Sequence, residues 1–187
     1  MKLKIIKFIS VHSTNNKAIK LIQKYRYTSG LIVSEKQTKG RGTMSKKWIS
    51  KKGNIFISIF FRVDFAKFNI ENFLIINAKI IKKILKNYTR KTIKIKKPND
   101  LLIENKKICG ILQEVVEYNN KKFLITGIGI NTTIAPRNNK VITTCLNDHT
   151  KKIINNIKII KGIRNIYEKL INDLNNGNFT LIKNKYI

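Results

Sequence analysis

A chain of 187 residues with 42% apolar composition can bury a single core without staples. Its two cysteines, Cys109 and Cys145, and two histidines, His12 and His149, are too scattered for a disulfide framework or a zinc site, and no apolar run approaches the ~18 residues of a membrane helix. The formal charge of +29 raises nucleic-acid binding, yet only six of the 39 basic residues are Arg, the type preferred for bidentate phosphate and base contacts. The Lys are spread among Ile and Asn along the whole chain, as drift in an AT-rich genome would leave them. The reading is therefore a reduced, cytoplasmic protein with no specific nucleic acid and no membrane, whose field attracts acidic partners.

The start, MKLKIIKFIS, is too short and too charged for a secretory leader, and its LKIIKFIS reads as a strand. STNNKAIKLIQKY follows as a helix, with Ser13 or Thr14 as N-cap and Ala18, Ile19, Leu21 and Ile22 as its apolar stripe. GLIVSEKQ is a second strand. TKGRGTMSKKW has two Gly and no periodicity, so it is a loop, and GNIFISIFFRV is a long strand of high β propensity. In NIENFLIINAKIIKKILKNY, Phe73, Ile76, Ile80 and Ile84 recur at helical spacing and Lys gathers toward the end. TIKIKKPND reads as a strand stopped by Pro98, LLIENKKICGILQEVVEY as a hairpin turning at ENKK, and KKFLITGIGINTT as a further strand. VITTCLND is ambiguous, and GIRNIYEKLINDLNNG is a last helix stopped by Gly177. With strands outnumbering helices and mostly adjoining, the expected class is α+β, a mixed, largely antiparallel sheet with helices packed on one face.

Four stretches stand out chemically. In TIKIKKPND, strand alternation puts Ile93, Ile95 and Lys97 on one face and Lys94 and Lys96 on the other, so Lys96 is a cation at the open end of a strand. Gly40-Arg41-Gly42 lies in a loop where backbone N–H groups can approach an anion and Arg can clamp it. Gly127 and Gly129 break a strand, which marks either a bulge or a ligand against the backbone. Ser13-Thr14-Asn15 supplies polar side chains at a helix start, as an ordinary N-cap also would.

In this order and spacing the pieces STNN, EKQTKGRG…KKW, KKPNDLLIENKKICGILQE and GIGIN resemble the catalytic domain of biotin–protein ligases, over roughly residues 5 to 175. The resemblance implies the biotin–lipoate ligase fold, like that of class II aminoacyl-tRNA synthetases. It implies an enzyme that activates biotin with ATP, with Mg²⁺ accompanying the nucleotide, and transfers it to a Lys of a biotin carboxyl carrier domain, that of acetyl-CoA carboxylase. By the same resemblance Ser13, Thr14, Asn15, Gln37, Arg41, Gly127 and Gly129 bind biotin, with Gln37 and Arg41 at the ureido ring. Gly40, Arg41, Gly42, Thr43, Lys96 and Asn131 hold the adenylate or ATP, and Lys96 is the catalytic Lys.

The sequence departs from the family pattern at Thr43, where Arg is usual, at Ser45 for a third Gly, at Lys46 for another Arg, and at Lys97 for Trp. Residues 1–187 read as one catalytic domain, without the helix-turn-helix domain of some members before it and with the small C-terminal β-barrel absent or truncated. Two other readings stay open on the residues: a lipoate–protein ligase-like adenylating enzyme, and a degenerate or basic nucleic-acid-binding module.

Overall fold

The computed structural model describes residues 1–44, 46–66, 68–137 and 141–186; Ser45, one of the departures above, lies outside them. β1 (Ile5–Val11) runs into α1 (Thr14–Tyr25) because Ser13 caps the helix, its side chain accepting from the Asn16 N–H. Arg26 in the left-handed region ends that helix, and β2 (Ser29–Gln37) returns parallel to β1. β3 (Ile55–Arg62), β7 (Lys121–Ile130), β6 (Lys106–Tyr118), β5 (Asp100–Ile103) and β4 (Ile93–Lys96) then extend the sheet, every neighbour antiparallel, in the order β1-β2-β3-β7-β6-β5-β4. Two hairpins close on two-residue turns whose residues all take positive φ: Glu104–Asn105 at 49° and 61°, Asn119–Asn120 at 49° and 55°. Such turns match the right-handed twist of the strands, and Asn tolerates the left-handed region better than most residues.

The expected mixed, largely antiparallel sheet is present, and helices α2 (Ile70–Leu85), α3 (Asn156–Asn175) and α4 (Phe179–Tyr186) cover one face of it. α1 differs from the expectation. Its Ala18, Leu21 and Ile22 pack with Ile32, Phe60, Phe123 and Ile125, whose sequence neighbours Leu31, Ile59, Phe61 and Leu124 point into the α2–α3 layer. Because side chains alternate across a strand, α1 lies on the opposite face. β3 is thus buried on both faces from Ile55 to Phe61, which is why IFISIFF shows no alternation of polar and apolar residues.

Two further differences fall at the C-terminal end. α3 starts six residues before Gly162, capped by Asn155, because Ile159 continues the buried stripe upstream and one Gly in a helix interior is tolerated. The ambiguous VITTCLND is an irregular segment running into a short 3-10 helix (Leu146–His149), and FTLIKNKY, to which the sequence reading assigned no element, forms α4. On the α2–α3 side one polar cluster is buried. The Tyr167 hydroxyl donates to Asn77 Oδ1 at 2.6 Å, and Asn77 Nδ2 donates to Gln113 Oε1 and Thr126 Oγ1.

Candidate active site

Over β6 and β7, on the α1 face, runs a cleft of about 620 Å³. Its floor lacks side chains where Gly110 and Gly129 face each other across the two strands and where Gly127 follows the alternation on β7. The structure gives each glycine a reason. A Cβ on Gly127 would strike the Asn15 amide, and one on Gly129 or Gly110 would strike the Trp48 indole, all well inside 3.0 Å. The bare backbone expected to receive a ligand therefore first receives two of the chain's own side chains, which form the walls of the cleft.

At one end stand Ser13, Thr14, Asn15 and Gln37. Thr14 donates to Gln37 Oε1 from its backbone N–H (2.8 Å) and its hydroxyl (3.1 Å), and Gln37 Nε2 donates to Ser50 Oγ at 3.2 Å. Asn15 is held harder: Ser58 Oγ donates to its Oδ1, while its Nδ2 donates to the Leu112 carbonyl and to Glu114 Oε2 at 2.7 Å. This end is a rigid array of amides and hydroxyls, set by α1's cap and by β2.

The Gly40-Arg41-Gly42 segment lines the cleft through Arg41 and Gly42, with Thr43 beside them, and Gly40 sits behind against the Trp48 carbonyl. The loop folds back on itself. Arg41 bridges Lys47, the Gly42 N–H donates to Lys46 O at 2.6 Å, and the Trp48 N–H donates to Gly40 O. Arg41 Nη2 donates to both oxygens of Glu114, at 2.9 and 2.7 Å.

The structure does not bring Lys96 to the cleft. Its strand face was read correctly, since Lys96, Asp100, Gly110 and Gly129 form one cross-strand row. Yet β4 is the edge strand, so Lys96 stands two strand spacings, roughly 10 Å, from Gly110, and it is exposed. Lys97 is exposed too. Lys107 takes the position at the cleft. Its ammonium lies 2.7 Å from Asp100 Oδ1 and 5.4 Å from the centroid of the Trp48 ring, with both charged side chains about one-fifth exposed.

Simple alternation hides Lys107, because it shares parity with Cys109 and Ile111, which face the core. A bulge in the β5–β6 pairing between Leu101 and Leu102 puts Ile108 and Cys109 both into the core and turns Lys107 to the other face. The tandem Lys before a Gly-containing run was its sequence trace. Cys109 itself is no nucleophile: burial pushes its thiol well above the usual range.

Asn131, at the end of β7, completes this end of the cleft. Its Nδ2 donates to the Thr144 carbonyl at 3.1 Å, but its Oδ1 is buried without a partner, as is Trp48 Nε1. A buried polar atom left unpaired costs ~1–3 kcal/mol, and here an acceptor and a donor so orphaned belong to residues lining one cleft, where a polar ligand could pair with both. Sequence reading did not single out Asn54, whose Oδ1 accepts the backbone N–H groups of Thr132, Thr133 and Ile134 and fixes the chain after Asn131. Among the described residues no group of three or more His, Cys, Asp or Glu could hold a metal ion, and no helix is long and apolar enough to cross a membrane.

Residues 5–131 match the Biotin/lipoate A/B protein ligase family, a span that contains every cleft element from β1 to Asn131. The chain belongs to that family. Among its relatives, the bifunctional ligase/repressor BirA of Bacillus subtilis (strain 168) is 32% identical over 177 residues, covering 91% of this chain and 54% of that protein. BirA of Escherichia coli (strain K12) is 26% identical over 123 residues, covering 65% of this chain and 38% of its own length. The chain thus spans about half or less of the length of these family members. Among solved structures, the biotin protein ligase from Aquifex aeolicus in complex with biotin and ATP superimposes with a TM-score of 0.75 at 25% identity, covering 92% of this chain and 72% of that one.

Proposed function

We propose that the protein activates biotin as biotinyl-5′-AMP at the expense of ATP and passes the biotinyl group to a specific Lys of a biotin carboxyl carrier domain, in the cytoplasm. The observation that carries this reading is the cleft's asymmetry. One end presents the amides and hydroxyls of Thr14, Asn15 and Gln37 beside the mutually neutralised Arg41–Glu114 pair; the other holds Lys107 with the unpaired Trp48 N–H and Asn131 oxygen. A ureido ring, an apolar arm and a terminal carboxylate running into a nucleotide phosphate suit that order. Family membership and relatives named as biotin ligases support biotin over another acid.

In the first step a carboxylate oxygen of biotin bonds to the α-phosphorus of ATP, the bond from that phosphorus to the bridging oxygen breaks, and pyrophosphate leaves. Lys107, oriented by Asp100, is the cation at this end of the cleft and takes the role that resemblance alone assigned to Lys96. A fixed point charge there stabilises the charge gathering on the phosphate. The loop of Gly40, Arg41, Gly42 and Thr43 covers the adenylate and keeps water from the mixed anhydride. Mg²⁺ enters with ATP as part of that substrate; Asn131 Oδ1 is an oxygen of the type such a cation accepts. In the second step the neutral amine of the carrier Lys bonds to the acyl carbon, AMP leaves, and the extra proton passes to solvent. The carrier in this reading is the biotin domain of acetyl-CoA carboxylase, and residues 1–187 act as one catalytic domain.

The test is pyrophosphate exchange into ATP by the purified protein. Biotin should drive it, and an unmodified carrier domain should then acquire a streptavidin-reactive label. Exchange driven by lipoic acid and not by biotin, or by neither acid, refutes the proposal.

A further inference from the structure

A carboxylate at the edge of a cleft that receives two anions repels them unless it is committed to a cation. This chain has ten acidic residues, and two of them stand at the cleft's margin. Asp100 is paired with Lys107, and Glu114 with Arg41. Glu114 does more than neutralise. Its Oε2 takes Asn15 Nδ2 from α1 and Arg41 Nη2 from the loop, while its own strand, β6, forms the floor. Three separate elements meet on one carboxylate.

Among the described residues, the stretch 40–47 makes its other hydrogen bonds within itself or to Trp48: Gly42 with Lys46, Thr43 with Lys46, Gly40 with Trp48, Arg41 with Lys47. Among the described residues of this stretch, the ion pair to Glu114 is the one polar tie to the sheet. The geometry points to Glu114 as a positioning residue: through Arg41 it fastens this loop to the floor of the cleft and so sets how long the loop holds an adenylate. The inference rests on the activity proposed above, but the tether itself exists without substrate and can be read without it.

Glu114→Gln keeps the shape and an acceptor for Asn15 while removing the charge that grips Arg41. The loop carries its own protease sites at Lys46 and Lys47. Trypsin should cut there ~10-fold faster in Glu114→Gln than in the wild type, and preformed labelled biotinyl-AMP should escape ~3–10-fold faster, the range of one partly exposed charged hydrogen bond. Arg41→Ala cuts the tether from the loop side without touching the sheet. Cleavage at Lys46 and Lys47 should rise equally there, and adding Glu114→Gln to it should change neither cleavage nor escape further. Wild-type cleavage in both variants, faster cleavage with unchanged escape, or additive losses in the double variant each overturn the inference. Failure of biotin to drive exchange is a different result: it removes the proposed activity while the trypsin rates still decide the tether.

Discussion

In the proposed reaction the residue that carries the phosphate chemistry is Lys107. It meets Asp100 at 2.7 Å and the face of Trp48, and it stands over the glycine floor. Lys107→Ala should lower biotin-dependent pyrophosphate exchange by ~10²–10³, the usual cost of removing one fixed donor from a developing charge. Lys96→Ala, at the exposed edge, should leave the rate near wild type. A larger loss from Lys96→Ala than from Lys107→Ala would sink the assignment. A second residue-scale prediction concerns Tyr167, whose hydroxyl is bonded to Asn77 in the core. Tyr167→Phe orphans that amide oxygen and should cost ~1–3 kcal/mol at neutral pH. Burial pushes the folded phenol above its ordinary value of 10.0, so the unfolded chain loses the proton first. The Tyr167 contribution is therefore complete below about pH 10 and is lost as pH rises toward the folded value. The stability gap between wild type and Tyr167→Phe should narrow above pH 10 in urea titrations; a gap independent of pH would contradict the burial argument.

Glycines on different elements answer to different neighbours. Gly127 on β7 has no room for a methyl group, because Asn15 is pinned in front of it by Ser58, Leu112 and Glu114. Gly127→Ala should displace Asn15, weakening biotin binding by calorimetry and lowering the melting temperature together. Gly162 in α3 meets only Ile84, at 3.9 Å, so Gly162→Ala should stabilise the protein by ~0.5–1 kcal/mol through lower unfolded-state entropy. A Gly127→Ala protein that binds biotin like wild type would show that Asn15 plays no part at that end.

On the scale of the whole molecule, +29 charges act at a distance. They should speed encounter with an acidic carrier domain, so carrier labelling should slow as salt rises, while adenylate formation from small substrates should respond less. Both rates can be followed on one preparation across an ionic-strength series. Equal salt slopes, or tight binding of duplex DNA or single-stranded RNA at ~0.15 M salt, would mean the charge serves another purpose.

Periodicity and punctuation sufficed for most of the architecture. Local signals such as the Ser13 cap, the 3.6-residue stripe of α2 and the Asn-rich hairpin turns are written in neighbouring residues and survive any tertiary context. Ser13, Thr14 and Asn15 were legible locally as a helix start, Ser13 being its cap, but a binding role for them and for Gln37 came only from the family resemblance. Three things only the tertiary structure decided. Which face α1 covers depends on sheet order, since a strand buried on both sides looks the same from either. Which Lys reaches the cleft depends on a bulge that breaks the two-residue period at Ile108–Cys109 and on the lateral position of β4, neither of which a one-dimensional alternation records. The meeting of Arg41, Asn15 and Glu114 joins residues 73 and 99 positions apart, and a sequence carries no distance between side chains until the strands between them are paired.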